Sequence, residues 1–159
     1  MARALAIDFC ERRIGLALSD PSATIAQPIG ALERRRGKRP PLSRILGIIE
    51  ENDVDRVVVG LPLALDATET EWTAEVREFA EKLAARSGRQ VFLLDERMTS
   101  VMAERTVRSL GLPRGERERK ERVDTAAAAI ILQTFLDREK LGVEHERAAA
   151  AAADAGPDE

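Results

Sequence analysis

Two short apolar runs near the start of the chain, Ala4-Leu5-Ala6-Ile7 and Ile14-Gly15-Leu16-Ala17-Leu18, are separated only by Asp8, Phe9 and the charged turn Cys10-Glu11-Arg12-Arg13. This spacing predicts a β-hairpin, with strands at about Arg3 to Phe9 and Ile14 to Ser19. A third strand is expected from Ala26 to Leu32. A helix then presents Leu42, Ile45, Leu46 and Ile49 on one face. Arg56-Val57-Val58-Val59-Gly60 is a continuously apolar run, the pattern of a strand buried on both faces of a parallel sheet. Trp72, Val76, Phe79 and Leu83 recur at helical spacing up to Gly88, and Gln90 to Leu94 supplies a fifth strand. Further helices are expected around Ala103, Val107 and Leu110 and from near Asp124 onward. An opening hairpin followed by alternating strands and helices predicts an α/β domain: a mixed five-stranded sheet, antiparallel in its opening hairpin and otherwise parallel, with helices on both faces.

Asp8 is the anomaly in this pattern, a carboxylate closing an apolar strand. Burying it ionised without a partner costs several kcal/mol, so a counter-charge is implied, and a bound cation is one candidate. Glu96 falls at the end of the fifth strand and Asp124 at the expected start of the last helix, the region where α/β sheets place their sites. Three converging carboxylates are hard oxygen ligands suited to Mg²⁺ or Mn²⁺, and two such ions can clamp a phosphodiester for hydrolysis. Each acid also has a simpler reading: a turn former at Asp8, an ion pair of Glu96 with Arg97, a helix N-cap at Asp124.

The chain has 159 residues, enough for one domain with a substantial core. The single Cys10 excludes an intramolecular disulfide, and no window reads as a signal peptide or a membrane span. The expectation is a soluble cytoplasmic protein. Domain organisation reads as residues 1–142 folded and residues 143–159 a tail, acidic and Ala-rich, expected to be disordered. That tail carries five acids and one base, so the net charge of −3 conceals a slightly positive remainder. Its bases cluster at Arg34-Arg35-Arg36-Gly37-Lys38-Arg39 and between Arg114 and Arg122, both expected to be loops that are either solvated or contact phosphates. Four Phe, one Trp and no Tyr disfavour a base-stacking platform for single strands. Gly111-Leu112-Pro113-Arg114-Gly115 lacks the Lys-Ser or Lys-Thr ending of a phosphate-binding loop.

Four blocks carry a family resemblance: Asp8 to Gly15 with Ser19-Asp20; Val58-Val59-Gly60-Leu61-Pro62-Leu63 with Asp66; Asp95-Glu96-Arg97-Met98-Thr99-Ser100; and Val123-Asp124 followed by Ala126 to Gln133. In this order and spacing they resemble the YqgF/RuvX family of bacterial proteins, members of the RNase H-like superfamily described as Holliday-junction resolvases and as nucleases maturing pre-16S ribosomal RNA. The resemblance implies an RNase H-like fold and a metal-dependent endonuclease with Asp8, Glu96 and Asp124 as catalytic, metal-binding acids. Arg12, Arg13 and Arg97 are the candidates to hold substrate phosphates. The implied partners are structured RNA, pre-16S rRNA above all, with branched DNA as the alternative, and ribosomal precursor particles; a monomer or homodimer is expected, and no membrane. The chain departs from the family pattern where Cys10 replaces a usual glycine and where Ala64-Leu65-Asp66-Ala67 replaces Asn-Met-Asp-Gly. A positive φ at Cys10 would cost about 1 to 2 kcal/mol.

Overall fold

The computed structural model describes residues 2–34, 39–99 and 116–149, with residues 116–125 described by their backbone alone. The opening hairpin forms as expected, β1 (Arg3–Phe9) and β2 (Arg13–Ser19), followed by β3 (Ala26–Glu33). Next come α1 (Leu42–Glu51), β4 (Val54–Leu61), α2 (Glu71–Ser87) and β5 (Gln90–Asp95). A 3₁₀ turn at Glu96–Met98 follows, and the described chain closes with α3 (Glu116–Lys140) and the two-residue strand β6 (Glu146–Arg147). The expected helix around Ala103, Val107 and Leu110 lies outside the described residues.

The sheet has the order β3-β2-β1-β4-β5-β6. β1 is antiparallel to β2 and parallel to β4, and β4 is parallel to β5. Six strands rather than five is the first correction: the stretch from 143, expected to lack structure, begins with β6, which pairs antiparallel with β5. His145 makes this possible, its ring packing 4.6 Å from that of Phe135, while Arg77 of α2 reaches Glu146 at 2.6 Å. Residues 150–159 lie outside the described chain.

The second correction concerns the last helix. It begins at Glu116, not near Asp124, so Asp124 is an interior helical position and no N-cap. Glu116-Arg117-Glu118-Arg119-Lys120-Glu121-Arg122 was expected to be a charged loop. Every residue in it is a good helix former, and alternating charge does not break a helix.

Strand alternation divides the core into two layers. Leu5, Ile7 and Phe9 of β1 pack with Ile45 and Ile49 of α1 and with Val76, Phe79 and Leu83 of α2. Ala4 and Ala6 of β1, Ala17, Val58 and Leu94 face the other way, against Ala127, Ala128, Ile131, Leu132, Phe135 and Leu136 of α3. Alanines on both surfaces let α3 lie close to the sheet. α2 is punctuated at both ends, by a reciprocal hydrogen-bonded box between Thr70 and Thr73 and by Gly88 at φ 68°. Its N-cap is Thr70.

Candidate active site

Asp8 continues the series Ala4, Ala6 and therefore points to the α3 side of the sheet, where it is fully buried at 0% exposure. Across β2 it pairs with Gly15. On its other side the ladder runs to the Ile7–Val59 pair, so the next positions along β1 and β4 are Asp8 and Gly60.

Gly60 is what connects Asp8 to the second acid. Glu96, in the turn that follows β5, is 3% exposed, and its carboxylate lies back over Gly60. A Cβ at position 60 would stand 2.9 Å from Glu96 Oε1 and 2.7 Å from Ile131 Cδ1. The missing side chain is thus the space Glu96 occupies. Both side chains therefore reach the same face of the sheet, from neighbouring positions on β1 and β4. Sequence reasoning missed Gly60 as a site residue. The signal was present, a glycine ending an otherwise β-branched buried strand, which marks close approach by another group.

Among the described residues no third acid, His or Cys completes a three-ligand cluster. Asp124 is four residues before Ala128 and seven before Ile131 in α3, the register of that helix's buried stripe. Its side chain lies outside what is described.

The turn bearing Arg12 and Arg13 is anchored from within. Cys10 N–H donates to Arg13 O at 3.0 Å, and Arg34 N–H donates to Arg12 O at 2.8 Å. Arg12 is exposed and Arg13 partly so. Arg34, expected in a basic loop, is instead packed: its guanidinium lies 4.6 Å from the Phe9 ring centre. Residues 35–38 of that loop are outside the described chain. Cys10 does not adopt positive φ, so the cost anticipated there does not arise; its thiol lies 3.6 Å from Asp8 Oδ2 and donates to it. Ala67, one of the positions where the chain departs from the family pattern, is left-handed at φ 72°, as are Ala23 and Asp53.

Arg97 does not pair with Glu96. It forks onto Asp95, with Nη2 at 2.6 Å from Oδ2 and Nε at 3.1 Å from Oδ1, and its Nη1 donates to the Leu65 carbonyl at 3.1 Å. This fork holds the Asp95 carboxyl below the usual carboxylate range. Arg97 therefore ties the end of β5 to the loop after β4, and its contacts are those of a strut. Ser19 is also structural, accepting from Ala4 N–H at 2.9 Å. Asp20 closes the following turn by accepting from Thr24 and Ile25 N–H, which depress its pKa.

Residues 2–138 match the RuvX family, described as Holliday junction resolvase. The chain belongs to the RuvX family. Relatives carrying the name "Putative pre-16S rRNA nuclease" include one from Anaplasma marginale, 44% identical over 87% of this chain and 86% of its own. Another, from Maridesulfovibrio salexigens, is 42% identical over 86% of this chain and 98% of its own. In fold, this RuvX chain is similar to Thermus thermophilus RuvC in complex with a Holliday junction substrate, with a TM-score of 0.53 and 13% identity over 92% of this chain and 99% of that one. The fold is accordingly RNase H-like, as expected from the sequence.

Proposed function

We propose that this protein is a metal-dependent endonuclease that hydrolyses phosphodiester bonds in structured nucleic acid, and that its reaction is maturation of the 5′ end of pre-16S rRNA. The observation that carries the reading is the pair of buried carboxylates on one face of the sheet, Asp8 on β1 and Glu96 lying over Gly60 of the neighbouring β4. Two carboxylates on one face of the sheet are hard oxygen donors, a set that suits a hard divalent ion such as Mg²⁺ or Mn²⁺. Asp8, Glu96 and Asp124 would hold it. When bound, the ion supplies activation of water and stabilisation of the leaving oxygen.

The chain's own residues do the rest. Burial of Asp8 and Glu96 under α3 excludes bulk water and keeps both carboxylates in one place. Arg12 and Arg13, on the anchored hairpin turn beside Asp8, receive substrate phosphates. The chain's one histidine packs beside β6, away from the carboxylates, so no imidazole serves as general base. The names borne by relatives at about 40% identity favour pre-rRNA as substrate, and ribosomal precursor particles as the setting. Among the described residues no helix is long and apolar enough to cross a membrane, and cytoplasmic location follows from the substrate.

Asp8→Asn tests this. The variant should fold, by circular dichroism, and lose Mn²⁺-dependent cleavage of a precursor spanning the 16S 5′ end. Unchanged cleavage overturns the assignment, and paired symmetric nicks in a four-way junction with no cut in the RNA would transfer it to DNA resolution by a homodimer.

A further inference from the structure

The loop that joins β4 to α2 is bonded at almost every step. Ala64 N–H donates to Thr68 O at 3.0 Å and Ala67 N–H to Ala64 O at 2.8 Å. Asp66 accepts from both the backbone and the hydroxyl of Thr68, at 3.1 and 2.6 Å. Thr73 of α2 holds the Pro62 carbonyl, and Arg97 holds the Leu65 carbonyl. At the tip of this rigid loop, Leu65 is 82% exposed. Met98, the residue after Arg97, is 54% exposed. Among the described residues only five large apolar side chains are exposed, and Arg97 links these two, bonding the Leu65 carbonyl and preceding Met98 in the chain.

An apolar side chain held in water by a fully bonded loop is prepared for contact, since little ordering entropy remains to be lost when it docks. Its position restricts what can dock. Arg97 directly follows Glu96, so Leu65 and Met98 border the place where a substrate phosphate must lie. An unstacked step presents the apolar face of a base beside a phosphate, and aliphatic side chains are wedges that occupy such steps.

From this we infer that Leu65, with Met98 beside it, packs against an unstacked base next to the cleaved phosphate, making the enzyme selective for boundaries between paired and unpaired nucleic acid. Arg97 is then a positioning residue that sets the height of the wedge. The inference rests on the nuclease reading above for its substrate class.

The test uses the Asp8→Asn protein and RNA carrying 2-aminopurine at a duplex to single-strand boundary, so that base unstacking is read without cleavage. Binding should raise the fluorescence, and Asp8→Asn/Leu65→Ser should lose most of the rise. In the Asp8-intact protein, Leu65→Ser should lower the preference for the boundary substrate over a fully paired duplex roughly tenfold to hundredfold, what burying a leucine is worth. Equal fluorescence from both proteins, or no rise from either, overturns the wedge. Cleavage that survives while the Leu65 effects are absent rejects the wedge alone; a Leu65-dependent rise in a protein that cleaves nothing rejects the nuclease reading alone.

Discussion

Gly60→Ala is the sharpest probe of how the two carboxylates are held. The added Cβ would meet Ile131 Cδ1 at 2.7 Å and Glu96 Oε1 at 2.9 Å, whereas ordinary van der Waals contact begins at 3.4 Å. Ile131 must therefore retreat by about 0.7 Å and Glu96 by about 0.5 Å. Neither has free space: Ile131 is fully buried among Val58, Leu94 and Ala128, and Glu96 is buried as well. Overpacking of this kind costs about 1 to 3 kcal/mol. In a domain of this size that lowers Tm by about 3 to 10 °C. On the proposed role of Glu96 the larger effect falls on chemistry, because displacing a reacting group by half an ångström reduces turnover roughly tenfold to hundredfold. Thermal denaturation followed by circular dichroism gives the first quantity, and initial cleavage rates well below Tm give the second. Gly47→Ala is the control: it adds the same methyl group in α1 with nothing within 4 Å, and should stabilise by roughly 0.5 to 1 kcal/mol. A Gly60→Ala protein that melts and cleaves like the wild type would refute the claim that Glu96 depends on the gap.

Ala67→Gly removes a left-handed alanine and should raise stability by about 1 kcal/mol in urea titration, an increase opposite in sign to the usual effect of introducing glycine. His145 is packed against Phe135 and Phe92, and burial, aided by nearby Arg138, lowers its pKa from the ordinary value of 6.5. On acidification the unfolded chain takes up this proton before the folded one does, so the wild type should lose stability as pH falls from about 7.5 to 5.5. His145→Phe should lose measurably less over the same interval; an identical pH dependence of Tm in both proteins would dissociate the effect from His145.

The β1–β2 hairpin, the buried β4 strand and the amphipathic α2 were legible because each carries an unambiguous period or a punctuating residue, such as the Trp72-Val76-Phe79-Leu83 series ending at Gly88. α3 was misplaced at its start because the run from Glu116 to Arg122 shows no apolar period, and a charged helix and a charged loop look alike until propensity is weighed. β6 was invisible for a different reason. A two-residue edge strand has no period, and its stability comes from tertiary contacts of His145 and Arg77. In the site, Asp8 announced itself as a charge in an apolar strand. Glu96 was identified by position and resemblance, but its partner was misjudged, since which of two adjacent acids an arginine selects depends on how the turn after β5 directs them. The role of Gly60 was written in a single residue whose meaning is a contact from 36 positions downstream.

The covering of Asp8 by α3 has a consequence for synthesis. The carboxylate emerges more than a hundred residues before the helix that covers it, and the face that bears it is completed only by Ala127 to Leu136. Chains are made from the amino terminus, and domains mature as their later elements arrive. Until then the acid faces solvent on a bare half-sheet, with no enclosed site around it. On the proposed role of Asp8, an unfinished copy on a translating ribosome lacks an assembled site, and the last long helix is the element that completes it.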